Sequence, residues 1–278
     1  MCTTCGCSGT SEASVIEPGH SHDHSHDHDH HHGHDHDHDH HHDHGMVVTL
    51  EQQILAKNNL LAERNRGWFA GRGILALNLM SSPGAGKTTL LERTIRDLGS
   101  ALAINVVEGD QATETDAARI RAAGCNAVQI NTGTGCHLDA EMLRRGLAAL
   151  KPTSGSVVMI ENVGNLVCPA LFDLGERAKV VMLSVTEGDD KPLKYPHMFR
   201  AADIMIITKS DLLPHVDFSI ERCLGHARAI NRSIRSVVLS AITGEGVGAW
   251  YDWLNAERSA ALMDADQILG SAQAITDR

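Results

Sequence analysis

The sequence contains no uninterrupted run of eighteen apolar residues, so no segment reads as a membrane span. Its amino terminus has neither a basic n-region nor an apolar h-region, which removes the signal-peptide reading. Basic residues are scarce, 24 Lys and Arg against 35 Asp and Glu, and the net charge of −11 leaves nothing to grip a phosphate backbone. A disulfide framework is also missing. Three of the seven cysteines crowd into MCTTCGC, and Cys125, Cys136, Cys168 and Cys223 are scattered along the rest of the chain. These absences leave a reduced, cytoplasmic protein with neither a nucleic-acid nor a membrane partner as the expectation.

What is present divides unevenly. Residues 1–45 hold fifteen of the nineteen histidines and nine carboxylates, with no Lys or Arg, and the remaining 24 basic and 26 acidic residues give a net charge of only −2. A segment with so little apolar surface cannot offset the entropy of ordering, so a disordered tail over 1–45 is expected. Residues 46–73 read as an amphipathic helix and linker, with Thr49 and Gln52 at capping-box spacing and Gly67, Gly71 and Gly73 as stops. Residues 74–265 form the main domain, and 266–278 a carboxyl-terminal tail.

Within 74–265, short Val/Ile/Leu runs alternate with polar-faced helical segments: ILALNLM, AINVVEGD, AVQIN, SVVMIEN, AKVVMLSV, DIMIITKSD and SVVLSA. Runs without strict alternation indicate strands buried on both faces. The expected fold is α/β, an open, doubly wound, mostly parallel sheet of about seven strands of the P-loop type. Ligands in such sheets sit beyond the carboxyl ends of the strands.

That is where the chemistry-bearing residues fall. After ILALNLM comes SSPGAGKTTLLERTI, a strand, a small-residue loop and a helix. Backbone amides around Gly84, Ala85 and Gly86 would cradle phosphates, Lys87 would neutralise the β- and γ-phosphates, and Thr88, followed by Thr89, would offer its hydroxyl to Mg2+. The usual motif has glycine where this chain has Ser81. Later strand ends present Asp110, Glu161 and Gly164, acidic groups that can hold Mg2+ and a glycine suited to a γ-phosphate contact. Lys209 and Asp211 in TKSD offer a cation and a carboxylate able to accept from guanine, and backbone amides at Ser240 and Ala241 could meet the guanine carbonyl.

These segments, with VVEGDQATETDA, NTGTGCHLDA, IENVGNLVCPA, SVTEGDDKPLKYPHMF and LSAITGEG, resemble the hydrogenase nickel-insertion GTPase family, HypB, over roughly residues 46–260. The resemblance implies a GTPase that cycles between GTP and GDP, a homodimer formed on GTP binding, and delivery of Ni2+ to the [NiFe] hydrogenase large-subunit maturation complex together with a HypA-type nickel chaperone. It implies an internal metal site, for Ni2+ or Zn2+, at Cys136, His137 and Cys168. Family members usually carry Asn where this chain has Thr208. Catalytic roles fall on Lys87, Thr88, Asp110 and Glu161. No glutamine follows Glu161 to orient water and no arginine finger can be assigned, so slow intrinsic turnover is expected. Two rivals are a nickel storage protein with a vestigial nucleotide fold and a urease-type nickel-insertion GTPase.

Cys136 and His137 are adjacent in a Gly-rich turn, so their side chains are expected to diverge, with a two-fold dimer bringing two such pairs together. Cys125 and Cys223 lack that context and are assigned to packing. A structural zinc knuckle at MCTTCGC wants a fourth ligand and a folded loop, and neither is visible nearby. Three thiolates at Cys2, Cys5 and Cys7, with the Cys2 amine freed by removal of Met1, instead suit a compact square-planar ion such as Ni2+. The histidine tract suits nickel, copper and zinc alike and reads as metal storage.

Overall fold

The computed structural model describes residues 14–16, 44–110, 115–133 and 135–276. Seven strands follow the apolar runs in chain order: β2 (Leu75–Ser81), β3 (Ile104–Asp110), β4 (Asn126–Asn131), β5 (Val157–Glu161), β6 (Ala178–Ser184), β7 (Ile204–Thr208) and β8 (Arg235–Val238). They pair in parallel. An eighth strand, β1 (Ser14–Ile16), adds antiparallel to the β4 edge, and the order is β1-β4-β3-β5-β2-β6-β7-β8.

Burial on both faces explains why the strands read as continuous apolar runs. Leu75, Leu77 and Leu79 point to one face, packing with Val106, Val180 and Ile206 under Leu90 and Leu91 of α2 (Lys87–Leu98) and Trp250 and Leu254 of α9 (Val247–Thr276). The alternate residues face the other way. Ala76, Val107, Val158 and Ile160 pack under Phe69 of α1 (His44–Ala70) and Leu143 and Leu147 of α4 (Ala140–Leu150). Farther along the sheet Met80, Val181 and Met205 meet Phe199 of α7 (Pro196–Ala201) and Cys223 of α8 (Ile220–Ile230). Each fully buried Leu or Ile contributes roughly 1.5–3 kcal/mol. The shorter described elements are α3 (Thr115–Ala122), α5 (Cys168–Leu171), α6 (Lys191–Lys194) and a 3-10 helix at Ser210–His215.

The boundaries depart from the sequence reading in three places. Residues 14–16 of the expected disordered tail form a strand, since Ser-Val-Ile joins two β-branched residues and the β4 edge offers unpaired backbone groups. Helix α1 starts at His44, so Thr49 lies inside it rather than at its start, and it runs through Gly67 before ending at Ala70. Helix α9 continues past 265 to Thr276. Arg177 ties the body of that helix to the sheet through Glu257 and Asp264.

Cys2, Cys5, Cys7 and the histidines before His44 lie outside the described residues.

Candidate functional site

At the carboxyl end of β2 the chain turns through Ser82–Gly86 into α2, and two glycines make the turn possible. Gly84 (φ 73°) and Gly86 (φ 93°) both occupy the left-handed region. No side chain caps α2, and its first residues, Lys87, Thr88 and Thr89, line the cleft, the arrangement that suits an anion. Lys87 is buried, and its Nζ donates to Ser81 Oγ at 2.9 Å. Ser81, in the place usually taken by glycine, thus accepts from the lysine. Burial pushes the Lys87 ammonium below its ordinary pKa, with the Glu161 carboxylate pulling the other way.

Thr88, beside Lys87, donates through Oγ1 to Glu161 Oε1 at 2.8 Å. Glu161 stands opposite Glu108 in the parallel β3–β5 register. Both are almost fully buried, and Glu108 Oε2 and Glu161 Oε2 have no hydrogen-bond partner among the described residues. Burial pushes Glu108 up to about 8 and Glu161 to about 7, and for Glu108 the neighbouring Glu161 charge adds to the effect. Asp110 ends β3 at the rim of the same cleft, a cavity of about 470 Å3 that Asp116, Arg119, Asn162 and Gly164 also line. A Cβ on Gly164 would lie 3.0 Å from the Pro83 backbone, so any side chain there would push on the phosphate loop. Glu108 and Asp116 are absent from the sequence reading. The signal for Glu108 was a lone carboxylate inside the apolar run VVEGD.

A second hollow, of about 170 Å3, adjoins the loop and is lined by Thr89, Lys209, Asp211, Ser240 and Ala241. Lys209 adopts a left-handed backbone (φ 59°), and its Nζ donates to Gly84 O at 2.8 Å. Thr208 Oγ1 donates to Ala85 O at 2.7 Å. Thr208, at the position where Asn is usual, therefore ties the TKSD segment to the phosphate loop. Asp211 Oδ1 is buried without a hydrogen-bond partner among the described residues, a carboxylate oxygen left for a ligand donor. Ser240 corrects the expectation of two backbone amides. Its N–H donates to Glu245 O at 2.9 Å, because the 240–245 turn closes on itself.

About seven residues downstream of Glu161 the chain reaches Cys168, and here the expectation that Cys136 and His137 diverge fails. Thr132 closes the turn twice, accepting from Gly135 N at 2.9 Å and donating through Oγ1 to Gly135 O at 2.8 Å. The curled turn places Cys136 Sγ 3.6 Å from His137 Nδ1 and 2.9 Å from Cys168 Sγ. The three ligand atoms all lie within 4.8 Å of one another. The His137 ring packs on Phe172 with centroids 3.9 Å apart, and burial lowers its pKa, favouring the neutral ligand form. Cys223 is fully buried and Cys125 packs against the core, with burial raising their thiols to about 12 and about 11.

Residues 75–238 match the family model described as CobW/HypB/UreG, nucleotide-binding domain. The hydrogenase maturation factor HypB of Rhizobium leguminosarum bv. viciae is 57% identical over 75% of this chain and 70% of its own. That of Escherichia coli K12 is 54% identical over 77% of this chain and 74% of its own. Among solved structures, HypB from Archaeoglobus fulgidus aligns with a TM-score of 0.69 at 41% identity, covering 73% of this chain and 99% of that one. HypB from Helicobacter pylori in complex with nickel aligns with a TM-score of 0.69 at 37% identity, covering 73% and 96%. With the phosphate loop, the paired buried glutamates and the Cys-His-Cys cluster on one sheet end, this chain belongs to the hydrogenase maturation factor HypB family.

Proposed function

We propose that this protein is a GTP-hydrolysing nickel metallochaperone that delivers Ni2+ to the [NiFe] hydrogenase large subunit, with GTP-dependent homodimerisation gating the transfer. One observation carries the reading: the segment from Glu161 to Cys168 runs from the nucleotide cleft directly into the Cys136–His137–Cys168 group. Asn162, inside that segment, accepts through Oδ1 from Leu138 N at 3.0 Å, so the loop after β5 also grips the residue following His137. The relative from Helicobacter pylori solved in complex with nickel supports nickel as the cargo.

Lys87 leaves Ser81 for the β- and γ-phosphates, and the amides at the start of α2 fix their oxygens. Asp211 Oδ1 accepts from the amino and imino groups of guanine, and Ala241 supplies the amide for its carbonyl. The residues present fit Mg2+: Glu108 and Glu161 bury two carboxylate oxygens without hydrogen-bond partners in the cleft that Thr88 lines. Thr88, Glu161, Glu108 and Asp110 would hold that ion, which when bound supplies charge neutralisation on the transferring phosphoryl. Turnover is slow because the position after Glu161 is Asn162, whose amide group already serves Leu138 N, Val163 N and Asn78 Oδ1. Arg119 lines the cleft, yet Glu92 and Asp116 hold its guanidinium.

Loss of the γ-phosphate frees Gly164 and relaxes the Glu161–Cys168 segment, so Cys168 shifts against Cys136 and His137 and the metal is released toward a HypA-type chaperone. Cys2, Cys5 and Cys7 hold a tight nickel ion and the histidine tract stores more, in a cytoplasmic protein. The test is a nickel and zinc titration with GDP and with a non-hydrolysable GTP analogue, recording oligomeric state in parallel. Different affinities in the two states support the reading, and identical affinities at the internal site would end it.

A further inference from the structure

The two halves of the Cys-His-Cys group are far apart in the chain, and the described contacts show what holds them in register. Asn58 and Asn65 lie seven residues apart, on one face of α1, and both are 4% exposed. Asn58 accepts through Oδ1 from Ala140 N at 2.9 Å and donates through Nδ2 to Asp173 O at 2.7 Å. Asn65 donates both Nδ2 hydrogens, to Ala140 O at 2.9 Å and Leu174 O at 3.0 Å. Ala140 is three residues beyond His137, and Asp173 and Leu174 follow the short α5 that begins at Cys168. Each asparagine therefore bridges the segment carrying Cys136 and His137 to the segment carrying Cys168.

The surroundings fit a clamp rather than incidental contacts. The Ala140 amide opens α4 and has no partner within its own helix, so Asn58 satisfies a helix end from a different element. Gly175 (φ 86°) approaches so closely that a Cβ there would lie 2.4 Å from Ala62 O. The loop after α5 thus rests directly on α1, and Arg66 adds a bond to Glu176 O at 2.8 Å and an ion pair with Asp173. Nothing in phosphate binding asks for this arrangement.

We infer that Asn58 and Asn65 are positioning residues of the Cys136–His137–Cys168 site, and that α1 sets the separation of its two halves and hence its affinity for a thiolate-binding divalent cation. The inference rests on the proposed metal site. A ligand set drawn from two segments loses affinity when either drifts by a fraction of an ångström, because metal–sulfur and metal–nitrogen bonds tolerate little variation. Substituting such outer supports costs about 10–100-fold in affinity.

The test uses the full chain carrying Cys2→Ala, Cys5→Ala and Cys7→Ala, with cobalt(II) as probe. Thiolate-to-cobalt charge-transfer absorption then reports Cys136 and Cys168, and histidine-held cobalt does not contribute to it. Asn58→Ala and Asn65→Ala are each expected to weaken cobalt binding at least about tenfold and to shift the band, with GDP affinity as the check on folding. Asn65→Leu, similar in volume but without donors, should behave as Asn65→Ala does. An unchanged band and affinity in all three variants would overturn the inference. Absence of the band with both asparagines intact would remove the site itself, a separate result. Should the variants fail to fold, hydrogen exchange on the unsubstituted chain decides. Cobalt saturation should slow exchange of the α1 amides between 58 and 66, which touch no ligand, and unaltered exchange there overturns the clamp.

Discussion

The nucleotide cleft and the Cys-His-Cys group share one end of the sheet, yet they are built on opposite plans. The phosphate loop is a single stretch from Ser81 to Thr89, whose parts are placed by one strand, one turn and one helix. The Cys-His-Cys group joins Cys136 and His137 to a thiol 32 residues away, and α1 bonds to the segments that carry both halves. A contiguous site carries its geometry in local backbone conformation. A split site inherits it from packing, which makes it the more sensitive to distant change and the better suited to switching.

Removing Lys87 should break this comparison most severely. Lys87→Ala is expected to lower the rate of GTP hydrolysis by about 10²–10³-fold or more, measured as phosphate release, because a buried charge aimed at the transferring phosphoryl is lost. Metal affinity in the GDP state should stay close to that of the parent. A matching collapse of metal binding would mean that the two sites are not separately built.

Cys168→Ala should do the reverse. It is expected to weaken metal binding at the internal site by more than about tenfold and to remove any dependence of that binding on nucleotide, while GDP affinity holds. Reciprocity sharpens the test: in the parent, metal must change nucleotide affinity by the factor by which nucleotide changes metal affinity. Isothermal titration in both orders checks it.

Asp211→Asn probes the base end. Exchanging an acceptor oxygen for a donor should lower GTP affinity and raise that of xanthosine triphosphate, with a reversal of order about 1–3 kcal/mol. Equal preference for GTP in the variant would take the base-reading role from Asp211. Leu138→Ala tests stability where the two sites adjoin. Leu138 is fully buried and follows His137, so truncation should cost about 2–5 kcal/mol in denaturant unfolding and loosen the turn that carries Cys136 and His137. The smallest effect is kinetic. Because burial raises the Cys125 thiol to about 11, its alkylation should be slow at neutral pH and rise about tenfold per pH unit until the thiol titrates.

Much of this molecule is legible in the residues. The seven apolar runs become the seven parallel strands, since burial on both faces leaves no room for polar alternation. Ser-Ser-Pro-Gly-Ala-Gly-Lys-Thr-Thr specifies the phosphate loop because left-handed turns at Gly84 and Gly86 are local properties of glycine. Thr208 is less legible: as a departure from the usual Asn it looks like a loss, and only its bond to Ala85 O shows that it ties TKSD to the phosphate loop.

What the sequence could not decide is which distant groups meet. Glu108 gained its place only when β3 and β5 paired in register and set it beside Glu161, so that desolvation and like charge acted together. Cys136 and His137 converge because Thr132 curls their turn, against the divergence expected of neighbours. Ser240 lost its amide to Glu245, and Asn58 and Asn65, two unremarked polar residues in a helix, became the bridge between the segments of the Cys-His-Cys group. Local conformation is fixed by sterics within a few residues and can be read along the chain. Contacts across the fold follow from the packing of whole elements, where one shared carbonyl or one strand register determines the chemistry of residues far apart.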